Sequence, residues 1–120
     1  MKTHSAKAKG RRLQKDVKER LKSVLGLPDD AVYSASSGCP GTDVRVRIGN
    51  NIYSFECANQ EHVSIWKKWD QCETNARNEK GVPVLVIAKN NTAPLAVIEL
   101  DVLMDYLWYR KSHKPVETVK

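Results

Sequence analysis

The chain has 120 residues, 41% of them hydrophobic, and 20 Lys or Arg against 14 Asp or Glu give it a net charge of +6. That supports one small core rather than several domains, and no run approaches the roughly 20 apolar residues of a membrane span. Cys39, Cys57 and Cys72 fit neither a closed disulfide set nor paired zinc spacing, and the N-terminus lacks the apolar stretch of a signal peptide, so reduced thiols in a cytoplasmic compartment are expected.

The positive charge is concentrated at the start. The first 25 residues hold nine Lys or Arg against Asp16 and Glu19, a local +7 that leaves −1 for everything after. Residues 1–8 are expected to be a basic flexible arm. Leu13, Val17, Leu21 and Val24 then mark an amphipathic helix, stopped by Gly26 and Pro28. Lys7, Lys9, Arg11, Arg12 and Lys15 lead into and along it, a cluster suited to neutralising phosphates. A solvated face with a basic tail is the plainer account, but the concentration in one segment favours phosphate binding.

A brief strand is expected over 31–34, followed by a Gly and Pro loop over 36–42. Its hydroxyls at Ser36 and Ser37 are candidate phosphate contacts, although such serines more often satisfy turn backbone.

Residues 43–58 predict a hairpin turning at Gly49-Asn50, with Gly at the first turn position as a type II′ turn prefers. Val44 then pairs with Phe55 and Val46 with Tyr53, on an apolar face completed by Ile48 and Cys57. The opposite face carries Asp43 across from Glu56, with Arg45, Arg47, Ser54 and Ala58. Two carboxylates about 5 Å apart repel by about 3 kcal/mol at an effective dielectric near 20, so a positive group belongs between them. Arg45 and Arg47, which are candidate phosphate contacts too, would serve as a surface ion-pair cluster of little energetic weight. A hard divalent cation would serve too, since magnesium takes one or two carboxylates and keeps waters and phosphate oxygens.

Past Glu61 a helix is expected with Ile65, Trp66, Trp69, Cys72 and Ala76 inward, ending at Gly81. Residues 82–88, nearly all apolar and β-branched, predict a strand covered on both faces, with 95–100 as its partner. Asp101 is the expected N-cap of a last helix reaching residue 109, and residues 111–120 are expected to be a disordered tail.

The order of these pieces resembles a known family. The loop ending in Asp43, the hairpin and Phe55-Glu56-Cys57-Ala58 are similar to the core of the PD-(D/E)XK nucleases, particularly archaeal-type Holliday-junction resolvases and related phage nucleases. Lys9-Gly10-Arg11-Arg12-Leu13-Gln14 resembles the Lys-Gly that opens their first helix. The resemblance implies a single restriction-endonuclease-like α/β domain over residues 9–110, with a mixed central sheet flanked by helices. It implies a structure-selective DNA endonuclease using Mg²⁺, or Mn²⁺, held by Asp43, Glu56 and the main-chain carbonyl of Cys57. It further implies a homodimer on branched or four-way junction DNA, in the cytoplasm of a phage-infected, bacterial or archaeal cell. Leu103, Tyr106, Leu107 and Trp108 are candidates for the dimer interface, or for covering the sheet.

Two positions depart from the pattern. The family sequence reads Glu-x-Lys, and here position 58 is Ala. Three readings compete: replacement of the catalytic Lys by engineering, a natural protein that binds without cutting, or migration of the Lys role elsewhere. The first is preferred because the rest of the motif is present, and cleavage is then expected to be impaired. Gln14 stands where the resolvases have a Glu, so it is either a weak neutral ligand or an amide capping a strand or loop carbonyl. A non-catalytic DNA-binding module and a repair exonuclease of the same fold are the rival functions.

Overall fold

The computed structural model describes residues 2–36 and 38–113, with side chains from Lys7 onward. The first helix, α1, spans Lys2–Leu25 and stops at Gly26, whose φ of 64° is one that glycine adopts without strain. The expected arm over residues 1–8 is therefore helical from Lys2, because Ala and Lys favour helix and the single Gly10 does not interrupt the run before Gly26. One 3-10 turn at Asp29–Ala31 leads into β1 (Val32–Ser34), then β2 (Val44–Ile48) and β3 (Asn51–Asn59). Helix α2 (Ile65–Asn78), β4 (Gly81–Ala88), β5 (Leu95–Val97) and α3 (Leu100–Ser112) complete the chain.

The five strands lie in the order β1-β2-β3-β4-β5, with β3 and β4 parallel and the other neighbours antiparallel. This is a single mixed sheet flanked by three helices. The hairpin register matches the sequence expectation, with Val44 opposite Phe55, Val46 opposite Tyr53 and Ile48 opposite Asn51. Gly49 turns with φ 63°, as the chosen turn requires.

Period-two alternation divides the sheet into two faces. One packs Val32, Val44, Val46, Val84 and Val86 against Leu13 and Val17 of α1, which forms the core. The other packs against α2 through Cys72 and Ala76, and it carries Ser54, Glu56, Ala58 and Leu85. Because α2 crosses between two parallel strands, it runs antiparallel to both.

Ile65, expected on the inner side of α2, is exposed at the start of the helix, and three further expectations are corrected. Val24 is exposed, since it projects beyond the sheet at the end of α1. Trp66 is 78% exposed, because it lies about 120° around α2 from Cys72, outside the stripe that meets the sheet. Helix α3 starts at Leu100 with Glu99 rather than Asp101 in the N-cap position, and β5 is correspondingly short. The helix continues to Ser112, so the expected tail is helical at 111–112, and residues 114–120 lie outside the described residues. None of the α3 residues is buried: Leu103, Tyr106 and Tyr109 line a cleft with Tyr53, Phe55 and Val84 of the sheet, and Met104, Leu107 and Trp108 are exposed as well.

Candidate active site

The hairpin brings Asp43 and Glu56 to neighbouring positions at the end of the sheet where β1 and β2 stop and β3 runs on. The Asp43 N–H donates to the Phe55 carbonyl at 3.1 Å, and the Ala35 N–H donates to the Asp43 carbonyl at 2.9 Å, so its backbone is held from both sides. One Asp43 carboxylate oxygen accepts the Cys57 N–H at 2.8 Å. Within a strand the N–H and C=O of one residue face the same edge. The Cys57 carbonyl therefore faces the edge that Asp43 occupies.

Glu56 points to the α2 face and is only 6% exposed, with its Oε1 buried and without a hydrogen-bond partner. Burial, then the Asp43 charge, push its carboxyl up to about 7, against the smaller opposing effects of Lys68 and Asn75. Burial also raises Asp43, opposed by the Cys57 N–H and by Lys68. An unpartnered buried carboxylate oxygen beside a second carboxylate is an arrangement that a cation would stabilise. Among the described residues no three His, Cys, Asp or Glu side chains gather as metal ligands. The donors present are two carboxylates and a main-chain carbonyl, which suit a magnesium-type ion that retains water and phosphate oxygens.

The other sequence-derived candidates separate into those near this end and those away from it. Gln14 donates through Nε2 to the Ser34 hydroxyl at 2.8 Å and to the Ala35 carbonyl at 2.7 Å. It thus caps the end of β1, and its position sets α1 against the strand just before the Asp43 loop. Asn59 donates to the Lys9 carbonyl at 3.3 Å, which lays the N-terminal half of α1 beside the last residues of β3. Arg11, Gln14, Lys15 and Lys18 line a cleft with Ser34 and Ala35. Lys18 and Lys22 pair with Asp29 at 3.4 and 3.0 Å, and Arg20 pairs with Asp16 at 3.1 Å. Among the described residues, Lys7, Lys9, Arg11, Arg12 and Lys15 have no ion-pair partner within 4.0 Å, so the uncommitted charge of α1 lies on its site-proximal half. Ser36 is exposed, and Ser37 lies outside the described residues.

Arg45 is not the counter-ion of the carboxylate pair. It binds Glu79 at 2.7 Å and lies over the Tyr33 ring at 4.3 Å. The same Glu79 carboxylate accepts hydrogen bonds from the Thr42 hydroxyl at 2.8 Å and from the Ser54 hydroxyl. Burial works against its ionisation, but these three donors outweigh it and leave the carboxyl below its usual range. Gly81 makes the cluster possible, because a Cβ there would collide with the Ser54 hydroxyl. Arg47 is exposed. Sequence reasoning missed both Glu79 and Lys68; for Lys68 the available signal was its spacing, one helical turn before Cys72.

Burial pushes the Cys72 thiol up to about 12 and raises Cys57 further, so both are inert packing groups rather than nucleophiles. Among the described residues no helix is long and apolar enough to cross a membrane.

No protein-family model and no curated protein matches the chain. Among solved structures, it is similar to Hjc, a Holliday junction resolvase from the archaeal hyperthermophile Archaeoglobus fulgidus, with a TM-score of 0.56 and 18% identity over 75% of this chain and 72% of that one. The five-stranded mixed sheet and its flanking helices thus have the resolvase fold that the sequence resemblance implied, and Asp43 and Glu56 stand together at one end of it.

Proposed function

We propose that this chain is a divalent-metal-dependent, structure-selective DNA endonuclease of the junction-resolvase type, acting as a homodimer on branched DNA. The observation that carries the reading is buried Glu56, with its unpartnered Oε1, beside half-buried Asp43 at the open end of a resolvase-like sheet. Asp43, Glu56 and the Cys57 carbonyl would hold Mg²⁺, or Mn²⁺ in its place. That ion, when bound, supplies charge neutralisation at the phosphate and makes a water easier to deprotonate.

The protein's own groups do the rest. Glu56, ionised above about pH 7, is the acceptor that draws the pair toward a cation. The Cys57 N–H fixes the Asp43 carboxylate, so its free oxygen keeps one direction. Lys7, Lys9, Arg11, Arg12 and Lys15, without ion-pair partners among the described residues, would neutralise phosphates flanking the site, with Ser36 and Ser37 at the loop. In hydrolysis the water oxygen bonds to phosphorus, one ester P–O bond breaks, and the departing oxygen is protonated. The products are a phosphate-monoester end and a hydroxyl end.

Two symmetric nicks need two sites, and the exposed apolar surface of α3, including Leu103, Tyr106, Leu107 and Trp108, supports pairing of two copies. Ala58 favours a second reading, a module of the same fold that binds without cutting, because β3 itself lacks the cation that the resolvases place there. Labelled four-way junction, splayed and linear duplex DNA, incubated with Mg²⁺ or with EDTA, separate the two. Metal-dependent symmetric nicking of the junction is expected. Binding without cleavage of any substrate, by this chain and by an Ala58→Lys variant alike, would leave only the binding module.

A further inference from the structure

Position 58 is enclosed rather than open. Ala58 is 3% exposed on the face of β3 that α2 covers, so the space a strand lysine would occupy lies under the helix. The question is which cation faces that space.

The packing of α2 answers it. Cys72 is buried, and its Sγ lies 3.9 Å from the Ser54 carbonyl, which fixes that point of the helix over position 54. From there α2 runs back toward its N-terminus as β3 runs forward. One turn earlier, about 6 Å along the axis and about 40° around it, stands Lys68. Two strand residues beyond Ser54, at about 3.3 Å each, is Glu56. Lys68 is therefore nearly level with Glu56, and a lysine stem is long enough to reach on toward position 58. The side chain is partly buried, and among the described residues it has no carboxylate within 4.0 Å. Its charge nonetheless acts on both Asp43 and Glu56. Of the two arginines on this face of the hairpin, Arg45 is committed to Glu79 and Arg47 is exposed.

We propose that Lys68 supplies from α2 the cation that β3 lacks at position 58, meeting the scissile phosphate from the helix side of the site. The inference rests on the nuclease reading and refines it. Lys68 stands more than 4.0 Å from both carboxylates instead of closing on them, so its ammonium is not spent on an ion pair with either. Its ammonium would stabilise charge on the phosphate oxygens as the water adds, the contribution that a strand lysine makes in Glu-x-Lys enzymes. The small residue at 58 is then a requirement of the arrangement, since a long side chain there would compete for the same space.

The test compares this chain with Lys68→Met, the exposed neighbour control Lys67→Met, Ala58→Lys, and the double variant Lys68→Met/Ala58→Lys. Cleavage of four-way junction with Mg²⁺ and salt-dependent junction binding in EDTA are both measured, with circular dichroism confirming that each variant folds. Lys68→Met is expected to slow cleavage by about 100-fold or more. It should also reduce the slope of log affinity against log salt by about one, as loss of one phosphate contact does. Lys67→Met should do neither, and the double variant should recover cleavage. If Lys68→Met cuts as fast as the parent, the role of Lys68 is overturned while the nuclease reading stands. The same holds if the parent is inactive and Ala58→Lys alone cuts. If no form cuts any DNA, the nuclease reading falls and the Lys68 role with it.

Discussion

Metal-free protein is expected to lose stability as the pH rises toward and past neutrality, and Glu56→Gln to remove most of that loss. Glu56 titrates at about 7 in the folded chain against an ordinary value of 4.5, so the folded state holds the proton more tightly than the unfolded one. Its contribution is fully present below about pH 4.5 and is given up as the pH passes through 7. At about 1.4 kcal/mol per pH unit, the gap corresponds to roughly 3 kcal/mol. Asp43 shifts in the same direction, and the two acids titrate as a pair. Glutamine keeps the shape of the side chain and deletes the charge. Urea unfolding in EDTA at pH 5 and pH 8 measures the effect. The variant should match the parent at pH 5 and exceed it by about 2–3 kcal/mol at pH 8. Added Mg²⁺ should stabilise the parent at pH 8 and leave the variant nearly unchanged. An equal increment at both pH values would refute the reasoning, because it would place the effect in packing rather than in buried charge.

Glu79→Ala should destabilise the fold by about 2–3 kcal/mol in chemical unfolding, since it strands the Thr42 and Ser54 hydroxyls and frees Arg45. Lys80 follows the end of α2 with φ 56°, a left-handed conformation in which a side chain is strained. Lys80→Gly should therefore raise stability by about 1 kcal/mol, read as an increased unfolding midpoint. Leu107→Glu places a charge on the exposed apolar surface of α3, and sedimentation should show a shift from dimer to monomer with the fold intact. A parent that is monomeric at all accessible concentrations would remove α3 as the interface.

The hairpin was legible in the sequence down to its register, because a Gly-containing two-residue turn and strict alternation leave little freedom in which residues face each other. The pairing of Asp43 with Glu56 followed from that alone. What escaped was set by packing between elements distant in sequence. Arg45 shares a face with the carboxylate pair, yet Glu79, delivered by the end of α2, captures it. The spacing of Trp66 fits an apolar stripe through Trp69, whereas the sheet contact is centred on Cys72 and Ala76, which leaves Trp66 outside it. Lys68 is level with Glu56 only through the antiparallel course of α2, which no local pattern around position 68 encodes. Gln14, expected either as a weak ligand or as a capping amide, is held by Ser34 and by the Ala35 carbonyl, and the second bond needs a donor that a carboxylate lacks.

The strand order repeats the chain order, so each strand pairs with the one that precedes or follows it in sequence. Such a topology closes mostly short loops and favours rapid folding. It also decides when the two carboxylates meet. They sit on strands joined by a two-residue turn, the most local pairing in the sheet, so Asp43 and Glu56 come together as the hairpin zips. Their repulsion then opposes an early step of folding, not only the finished state. Glu56→Gln should accordingly speed refolding at pH 8 as well as stabilise the product. The site is assembled by the shortest connection in the sheet, and its unfavourable charge falls on the event that closes that connection.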